Sequence, residues 1–289
     1  MTAYAAPSLS LRNREFVWGA RTYVMGIVNL SPDSFSGDGL ASVEDAVAQA
    51  KRFEAEGADI IDVGGQSTRP APAAPSTAGF DQLTVEEEVE RAVPALRAIL
   101  EAVALPVSID AYRAPVVEAA LQAGAHLVND IWGFHHDAEV AALAARYGVP
   151  AVAMHNQRGR QRVDVIEGVK VGLEQSIRIA EAAGLPPHRL ILDPGFGFGW
   201  AVEDNLTMLR RLGELRALGL PLLVGTSRKT TIGAVLEQPE DQRVWGTAAT
   251  VAIAIVNGAD IVRVHDVAEM KQVCVMTDAI VRGPVTSNR

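Results

Sequence analysis

Polar side chains recur where the short apolar segments of this sequence end. They are Asn29, Asp62, Asp110, Asn129, His155, Asp193, the run Ser227, Arg228 and Lys229, and Arg263 with His265. A single Asn or Asp in such a place is commonly a turn former or a helix cap. Polar groups at nearly every strand end would instead converge on one mouth of a parallel sheet, so we predict a functional site there.

The cationic members of this set suit a phosphate or a pyrophosphate. Arg263, His265, Lys229 and Arg228 supply hydrogen-bond donors and positive charge. The chain as a whole has a net charge of −9, and such a field opposes nucleic acids and anionic membranes. We therefore expect small-molecule substrates as partners, with neither nucleic acid nor membrane among them.

The acceptor members indicate a different part of the same ligand. Asp110, Asn129 and Asp193 offer carboxylates and an amide, which suit a planar, nitrogen-rich ring with several N–H donors. Asn29 and Asp33, in the polar segment that follows it, could hold Mg²⁺ through oxygen ligands and water. The adjacent pair His135 and His136 does not favour zinc, because neighbouring side chains point in different directions.

His155 and the glycine-rich segment 195–199 have simpler interpretations. We expect His155 to be a hydrogen-bonded structural residue rather than a general base. The glycines of 195–199 follow a predicted strand, but their spacing is not that of a dinucleotide-binding fingerprint.

Alternating apolar and amphipathic segments would position these residues. The predicted strands are residues 23–28, 58–63, 106–110, 125–129, 150–154, 189–193, 221–226 and 260–264. Their nearly continuous apolar character is typical of parallel strands buried on both faces. The predicted helices are residues 43–56, 85–103, 114–123, 138–147, 165–183, 205–215 and 247–257, and one after His265. Glycines placed as helix C-caps follow several of them, at Gly57, Gly124, Gly148, Gly184 and Gly258.

Eight such units predict an α/β fold, a single (β/α)8 TIM barrel domain over residues 1–289. An open doubly wound sheet is the alternative. Residues 9–18 alternate weakly and predict a short N-terminal hairpin that closes the barrel floor. The one cysteine, Cys274, leaves no internal disulfide and is expected to be a buried apolar residue. The sequence has no apolar run of about 18 residues and no signal-peptide pattern, so we expect a cytoplasmic protein.

Six segments resemble, in order, the motifs of the dihydropteroate synthase family. They are MGIVNLSPDSFSGDGL at 25–40, GADIIDVGGQSTRP at 57–70, SIDAYRAPVVEAALQAGAHLVNDI at 108–131, ILDPGFGFG at 191–199, PLLVGTSRKTTIG at 221–233 and ADIVRVHDV at 259–267. One motif alone could arise by chance, whereas the ordered set is specific and covers most of the chain.

The resemblance implies a (β/α)8 barrel that joins a dihydropterin pyrophosphate to p-aminobenzoate in folate synthesis. It also implies Mg²⁺ as cofactor, a homodimer and a target of sulfonamides. The pterin would be held by Asp110, Asn129, Asp193 and Lys229. The pyrophosphate would be bound by Asn29, Arg263 and His265, with Asn29 also near the metal. The aminobenzoate pocket would be shaped by Phe35, Ser67, Thr68, Pro70, Phe198, Ser227 and Lys229. The expected catalytic residues are Asp33, Asp110, Lys229, Arg263 and His265.

Four departures from the family pattern involve five positions. Gln66 stands where Glu is common, Ala111 where Thr is usual and Trp200 where Lys is usual, and Gly37 and Asp38 reverse the usual order. The changes at Gln66 and at Gly37 and Asp38 motivate one alternative, a non-catalytic paralogue that binds pterin. A pterin-dependent methyltransferase domain of the same barrel class is the other. An active synthase is favoured, because none of these departures falls on Asp110, Asn129, Asp193, Lys229, Arg263 or His265.

Overall fold

A computed structural model describes residues 7–30, 40, 42–66, 83–160 and 164–283. Its strands are β1 (Leu9–Leu11), β2 (Arg14–Phe16), β3 (Tyr23–Asn29), β4 (Ile60–Gly64), β5 (Val107–Asp110), β6 (Leu127–Asp130), β7 (Ala151–Met154), β8 (Leu190–Asp193), β9 (Leu223–Val224) and β10 (Ile261–Val264). Its α-helices are α1 (Val43–Ala55), α2 (Val85–Ala102), α3 (Ala114–Gln122), α4 (Glu139–Tyr147), α5 (Val165–Ala182), α6 (Val202–Arg211), α7 (Thr230–Leu236), α8 (Val244–Val256) and α9 (Val267–Val281). Short 3₁₀ turns cover Pro187–Arg189, Leu212–Leu218 and Glu240–Gln242.

The parallel sheet closes into a barrel. In the described part of the chain, eight strands follow the order β8-β7-β6-β5-β4-β3-β10-β9, and every pairing between them is parallel. A parallel bridge between Leu192 and Leu222 joins β8 to the segment before β9. The Leu192 amide also donates to the Pro221 carbonyl oxygen at 2.8 Å. The prediction of a (β/α)8 barrel is therefore confirmed, and the open sheet is excluded.

The N-terminal hairpin closes the floor of the barrel, as the sequence predicts. Strands β1 and β2 pair antiparallel with Leu9 opposite Phe16. Their apolar side chains pack against the inward-facing residues at the start of the barrel strands. This floor cluster consists of Leu9, Leu11, Phe16, Trp18, Tyr23, Met25, Ile60, Leu127, Val152, Ile191, Leu223 and Ile261. It seals one end of the barrel, so a ligand has to enter from the other end.

Local signals at the helix ends explain where the helices begin and stop. Helix α2 begins with a capping box, in which the Thr84 hydroxyl accepts from the Glu87 amide at 3.2 Å and the Glu87 carboxylate accepts from the Thr84 amide at 2.7 Å. The five glycines predicted as C-caps all have positive φ, between 67° and 104°. A residue with a Cβ would be strained in this backbone conformation. Cys274 is buried in α9, as expected.

The predicted and observed elements differ most around β9 and α7, and at the starts of α6 and α8. Strand β9 contains two residues instead of the predicted span 221–226, because the chain turns at Thr226, where the Lys229 amide donates to its carbonyl oxygen at 3.2 Å. Helix α7 is not predicted, because its seven residues are too few to show helical periodicity. Helices α6 and α8 begin earlier than predicted, at Val202 and Val244.

Two further findings concern the chain as a whole. Among the described residues, no helix is both long and apolar enough to span a bilayer. The single-domain organisation over all 289 residues stays a prediction, because both ends of the sequence lie outside the described ranges.

Candidate active site

Four of the polar residues at the barrel mouth form a layer just above the floor. Side chains two residues apart on a strand point to the same face. Floor residues Ile60, Leu127, Ile191 and Ile261 are therefore followed, two positions on, by Asp62, Asn129, Asp193 and Arg263. The same two-residue periodicity from Ile60 is the sequence signal that places Asp62 in this layer, although residue types alone predict no role for it.

Arg263 connects this layer. Its Nε donates to Asp62 Oδ2 at 2.6 Å, and its Nη2 donates to Asp110 Oδ2 at 2.6 Å. Asn129 Nδ2 donates to the same Asp62 oxygen at 3.0 Å. Asp62 is fully buried, and its other carboxylate oxygen has no hydrogen-bond partner among the described residues. Asp62 thus fixes Arg263 and Asn129 relative to each other, and it is the main site residue that the sequence missed.

Burial is the largest influence on the pKa values of Asp110 and Asp193. It raises the pKa of Asp110 to about 7, against the lowering effect of the Arg263 guanidinium and with a further increase from Asp62. Burial also raises the pKa of Asp193, while Lys229 and the Gly195 amide lower it. Ionised carboxylates here are poorly solvated, so positive charge on a ligand would stabilise them.

The raised pKa of Asp110 predicts a pH-dependent effect on stability. Between the unfolded pKa near 4 and the folded pKa of about 7, the folded chain binds more protons, so this group's contribution to the free energy of unfolding falls as pH rises. Asp110→Asn removes that loss. We expect the free energy of unfolding of the variant, relative to the wild type, to increase from about pH 5 to about pH 8 in urea titrations.

Asp59→Asn is the matched control for this measurement. The Asp59 side chain is less exposed than that of Asp110, 4% against 13%. Burial raises the pKa of Asp59, but the hydrogen bonds and charge of Arg21 outweigh this and lower the pKa overall. It is ionised in both states above about pH 5, so the difference from the wild type should be flat. A flat difference for Asp110→Asn as well would contradict the assigned pKa.

Lys229 lies between the buried Asp193 and an aromatic side chain. Its Nζ donates to the Phe196 carbonyl oxygen, lies 4.6 Å from the centroid of the Phe198 ring, and lowers the pKa of Asp193 by its charge. A Cβ at position 197 would lie 2.8 Å from the Lys229 side chain, and the backbone there has a φ of +82°. Gly197 is therefore required for the lysine to reach this position.

His265 and Ser227 meet at the rim. The Ser227 hydroxyl oxygen lies 2.9 Å from His265 Nδ1 and accepts from the His265 amide at 3.1 Å. Arg228 is next to them, but its guanidinium forms an ion pair with Asp266, with 3.0 Å between Nε and Oδ2. Asp266 thus holds the Arg228 guanidinium beside the rim and partly neutralises its charge.

One cleft brings most of the predicted site residues together. Its lining includes Asn29, Gln66, Asp110, Phe198, Ser227, Lys229, Arg263 and His265. Asn129 and Asp193 are buried and connect to it through the contacts above. Five predicted residues, Asp33, Phe35, Ser67, Thr68 and Pro70, lie outside the described ranges, as do Gly37 and Asp38.

Asn29 is the one described residue that was predicted to bind Mg²⁺. It ends β3, is half-buried and lines the cleft. The described ranges contain no group of three or more His, Cys, Asp or Glu side chains that could hold a metal. A single amide oxygen fits an ion that takes most of its ligands from phosphate and water, as Mg²⁺ commonly does.

The departures from the family pattern have separate locations. Gln66 lines the cleft. Ala111 is buried, and its amide donates to the Asn129 carbonyl oxygen at 3.1 Å. Trp200 is buried with its ring 5.9 Å from that of His155. His155 bonds to Gln157 at 3.0 Å and burial lowers its pKa to about 4, which agrees with a neutral structural residue.

Comparison with known proteins identifies the family. Residues 25–265 match the family model described as pterin binding enzyme. A dihydropteroate synthase from Clostridium beijerinckii is 46% identical over 276 residues, which cover 95% of this chain and 100% of the relative. The chain belongs to the dihydropteroate synthase family. A second member, from Synechocystis, is 45% identical over 98% of both chains.

Solved structures of the family share the fold. The Clostridium difficile dihydropteroate synthase, solved in the presence of pteroic acid, has a TM-score of 0.85 and 43% identity, and the match covers 92% of this chain and 99% of that one. The Xanthomonas albilineans enzyme with 4-aminobenzoic acid has a TM-score of 0.85 and 38% identity, with 96% and 98% covered. A Yersinia pestis enzyme in complex with a sulfonamide drug has a TM-score of 0.86 and 35% identity, with 95% and 98% covered.

Proposed function

We propose that this chain condenses a 6-hydroxymethyl-7,8-dihydropterin pyrophosphate with p-aminobenzoate to form 7,8-dihydropteroate and pyrophosphate. The observation that carries the proposal is the arrangement at the mouth, where Arg263 links Asp62 to Asp110 and Asn129 shares the Asp62 carboxylate. Fixed acids and a fixed cation side by side suit a ligand that is a donor-rich ring at one end and a polyanion at the other.

The acceptor side of the layer would bind the pterin. Asp110, Asn129 and Asp193 present oxygens to the N–H groups of the ring, and Lys229 can donate to a ring oxygen. As pyrophosphate leaves, positive charge develops on the exocyclic carbon. The carboxylates of Asp110 and Asp193, which burial makes costly to ionise, would be stabilised by that charge. The amine of p-aminobenzoate is already nucleophilic, so the reaction needs no covalent enzyme nucleophile.

The cationic side would bind the leaving group. Arg263 and His265 donate to phosphate oxygens as negative charge builds on them, and the Asn29 amide lies at the same mouth. Mg²⁺ held at Asn29, with Asp33 as a further candidate ligand, would neutralise part of the pyrophosphate charge. Phe198 and Ser227, with Phe35, Ser67, Thr68 and Pro70, are proposed to surround the aminobenzoate ring, where sulfonamides would compete.

Complementation of a folate auxotroph that lacks its own synthase tests this function. We expect the wild-type gene to restore growth and the Lys229→Met gene to fail. Lys271→Met is the matched control, because Lys271 pairs with Asp59 at 3.4 Å, away from the mouth, and it should restore growth. Failure of the wild-type gene at normal protein levels would instead favour the non-catalytic paralogue or the methyltransferase domain.

We also propose a cytoplasmic homodimer. Helices α8 and α9 pack together and expose large apolar side chains, with Trp245 80%, Met276 63% and Ile280 70% accessible. Exposed apolar side chains on two neighbouring helices are typical of an interface between subunits. The single buried cysteine, Cys274, suits a reducing compartment.

Disruption of this exposed apolar surface should produce monomers. We expect Ile280→Asp to halve the mass in sedimentation velocity, because an unpaired charge in an apolar interface opposes association. Val171→Asp, at an apolar position that is 48% exposed on α5, should leave the mass unchanged. A wild type that sediments as a monomer at micromolar concentration, or a dimeric Ile280→Asp, would contradict the proposed interface.

A further inference from the structure

Arg158 lies in a turn that is fixed against the loop carrying Phe198. The Gln157 amide donates to the Phe198 carbonyl oxygen at 3.1 Å, and the Arg158 amide donates to Asn156 Oδ1 at 3.2 Å. The two segments approach so closely that a Cβ at position 199 would lie 2.6 Å from the Arg158 nitrogen. The start of the Arg158 side chain is therefore held in place beside Phe198.

Two cationic side chains contact the same aromatic ring. The guanidinium carbon of Arg158 lies 4.7 Å from the centroid of Phe198, and Lys229 Nζ lies 4.6 Å from it. Both cations are attracted to the electron-rich ring face. Arg158, Phe198 and Lys229 also line the same cleft, together with Thr230. Lys229 also donates to the Phe196 carbonyl oxygen and interacts with Asp193.

Partial burial makes Arg158 a strong partner for an anion. Burial lowers the pKa of Arg158 to about 10, so the guanidinium remains protonated at neutral pH while it loses part of its hydration. A carboxylate placed against the guanidinium can accept two parallel, charge-assisted hydrogen bonds.

We propose that Arg158 is a specificity-determining residue that binds the carboxylate of the arylamine substrate, with Phe198 against the aromatic ring. This role rests on the proposed function. In p-aminobenzoate the amine and the carboxylate are at opposite ends of the ring. With the amine directed at the pterin held by Asp110 and Lys229, we place the carboxylate against Arg158, which lines the same cleft.

Steady-state kinetics with a charged and a neutral arylamine test this role. We expect Arg158→Gln to raise KM for p-aminobenzoate by roughly 10- to 100-fold, the usual effect of losing a charge-assisted contact. The KM for 4-aminobenzamide, which lacks the carboxylate, and the KM for the pterin pyrophosphate should change by less than about twofold. Arg158→Lys should recover part of the loss, because it keeps the charge without the paired donors.

Arg160→Gln is the matched control, because Arg160 is an exposed arginine two residues away, and its kinetics should equal those of the wild type. Equal losses for both arylamines would show that Arg158 only supports Phe198, and a raised KM for the pterin pyrophosphate would show that it binds the leaving group. Either result overturns the role. If the wild type forms no product, the proposed function fails. The role of Arg158 is then tested by calorimetry of p-aminobenzoate binding to the wild type and to Arg158→Gln. Equal affinities would reject the role, and a tenfold loss of affinity in the variant would support it.

Discussion

Arg263→Ala is expected to lower kcat/KM for the pterin pyrophosphate by about 10³-fold. The change removes a donor to the leaving group and leaves two carboxylates, Asp62 and Asp110, without their cation. Removal of one fixed donor that stabilises developing negative charge costs about 2.7–4 kcal/mol in the transition state, and each tenfold in rate corresponds to about 1.36 kcal/mol. Binding of the same pterin without pyrophosphate should weaken at least tenfold less, because Arg263 contacts it only through the acids.

Isothermal calorimetry with the two pterin ligands separates these effects. Arg282→Ala is the matched control, since Arg282 forms a comparably enclosed ion pair with Asp278 and donates to the Ala259 carbonyl oxygen, near the start of β10. It should lower the thermal midpoint while leaving both ligand affinities unchanged. Equal losses of affinity for the two ligands in Arg263→Ala would remove the pyrophosphate contact from its role.

Lys229→Met should damage the use of both substrates. The lysine interacts with Asp193 on the pterin side and lies over Phe198 on the aminobenzoate side. Its loss leaves a buried carboxylate without its nearest cation, so we expect kcat/KM to fall by roughly 10²-fold or more for each substrate. Methionine keeps most of the volume, which limits the effect on packing.

The measurement is a pair of kinetic titrations, each with one substrate varied and the other saturating. Lys271→Met again provides the control, because it removes a lysine that is ion-paired to Asp59 on the side of the barrel near the floor. Unchanged KM values and kcat in Lys229→Met would place the lysine outside the site. A loss of kcat/KM confined to p-aminobenzoate would show that Lys229 does not contribute to the use of the pterin.

The barrel could be predicted because its signals are local. Each strand is a short apolar run, and glycines such as Gly148 and Gly258 mark the helix ends that precede strands. The ends of parallel strands meet at one mouth of a barrel, so the residue types at those ends predict the site without knowledge of the contacts. Segments with little periodicity, such as α7, carried no comparable signal.

The contacts within the site could not be read from the sequence in the same way. Arg263 bonds to Asp62 across 201 positions and to Asp110 across 153, and these pairings exist only once the barrel has closed. In the sequence, Arg228 and Arg263 are both arginines near strand ends. In the structure, Arg228 forms an ion pair with Asp266, whereas Arg263 pairs with Asp62 and Asp110. Arg158 lies in a turn without a periodic pattern, so only the structure reveals its contact with Phe198.

The most direct test is product formation from the pterin pyrophosphate and p-aminobenzoate by the purified chain, with Mg²⁺ and with a chelator. We expect dihydropteroate and pyrophosphate to appear in equal amounts, and the chelator to slow both. That result would establish an active synthase despite Gln66, Ala111 and Trp200. Binding of the pterin without any product in the presence of Mg²⁺ would contradict the proposed function and identify a pterin-binding protein that has lost the coupling reaction.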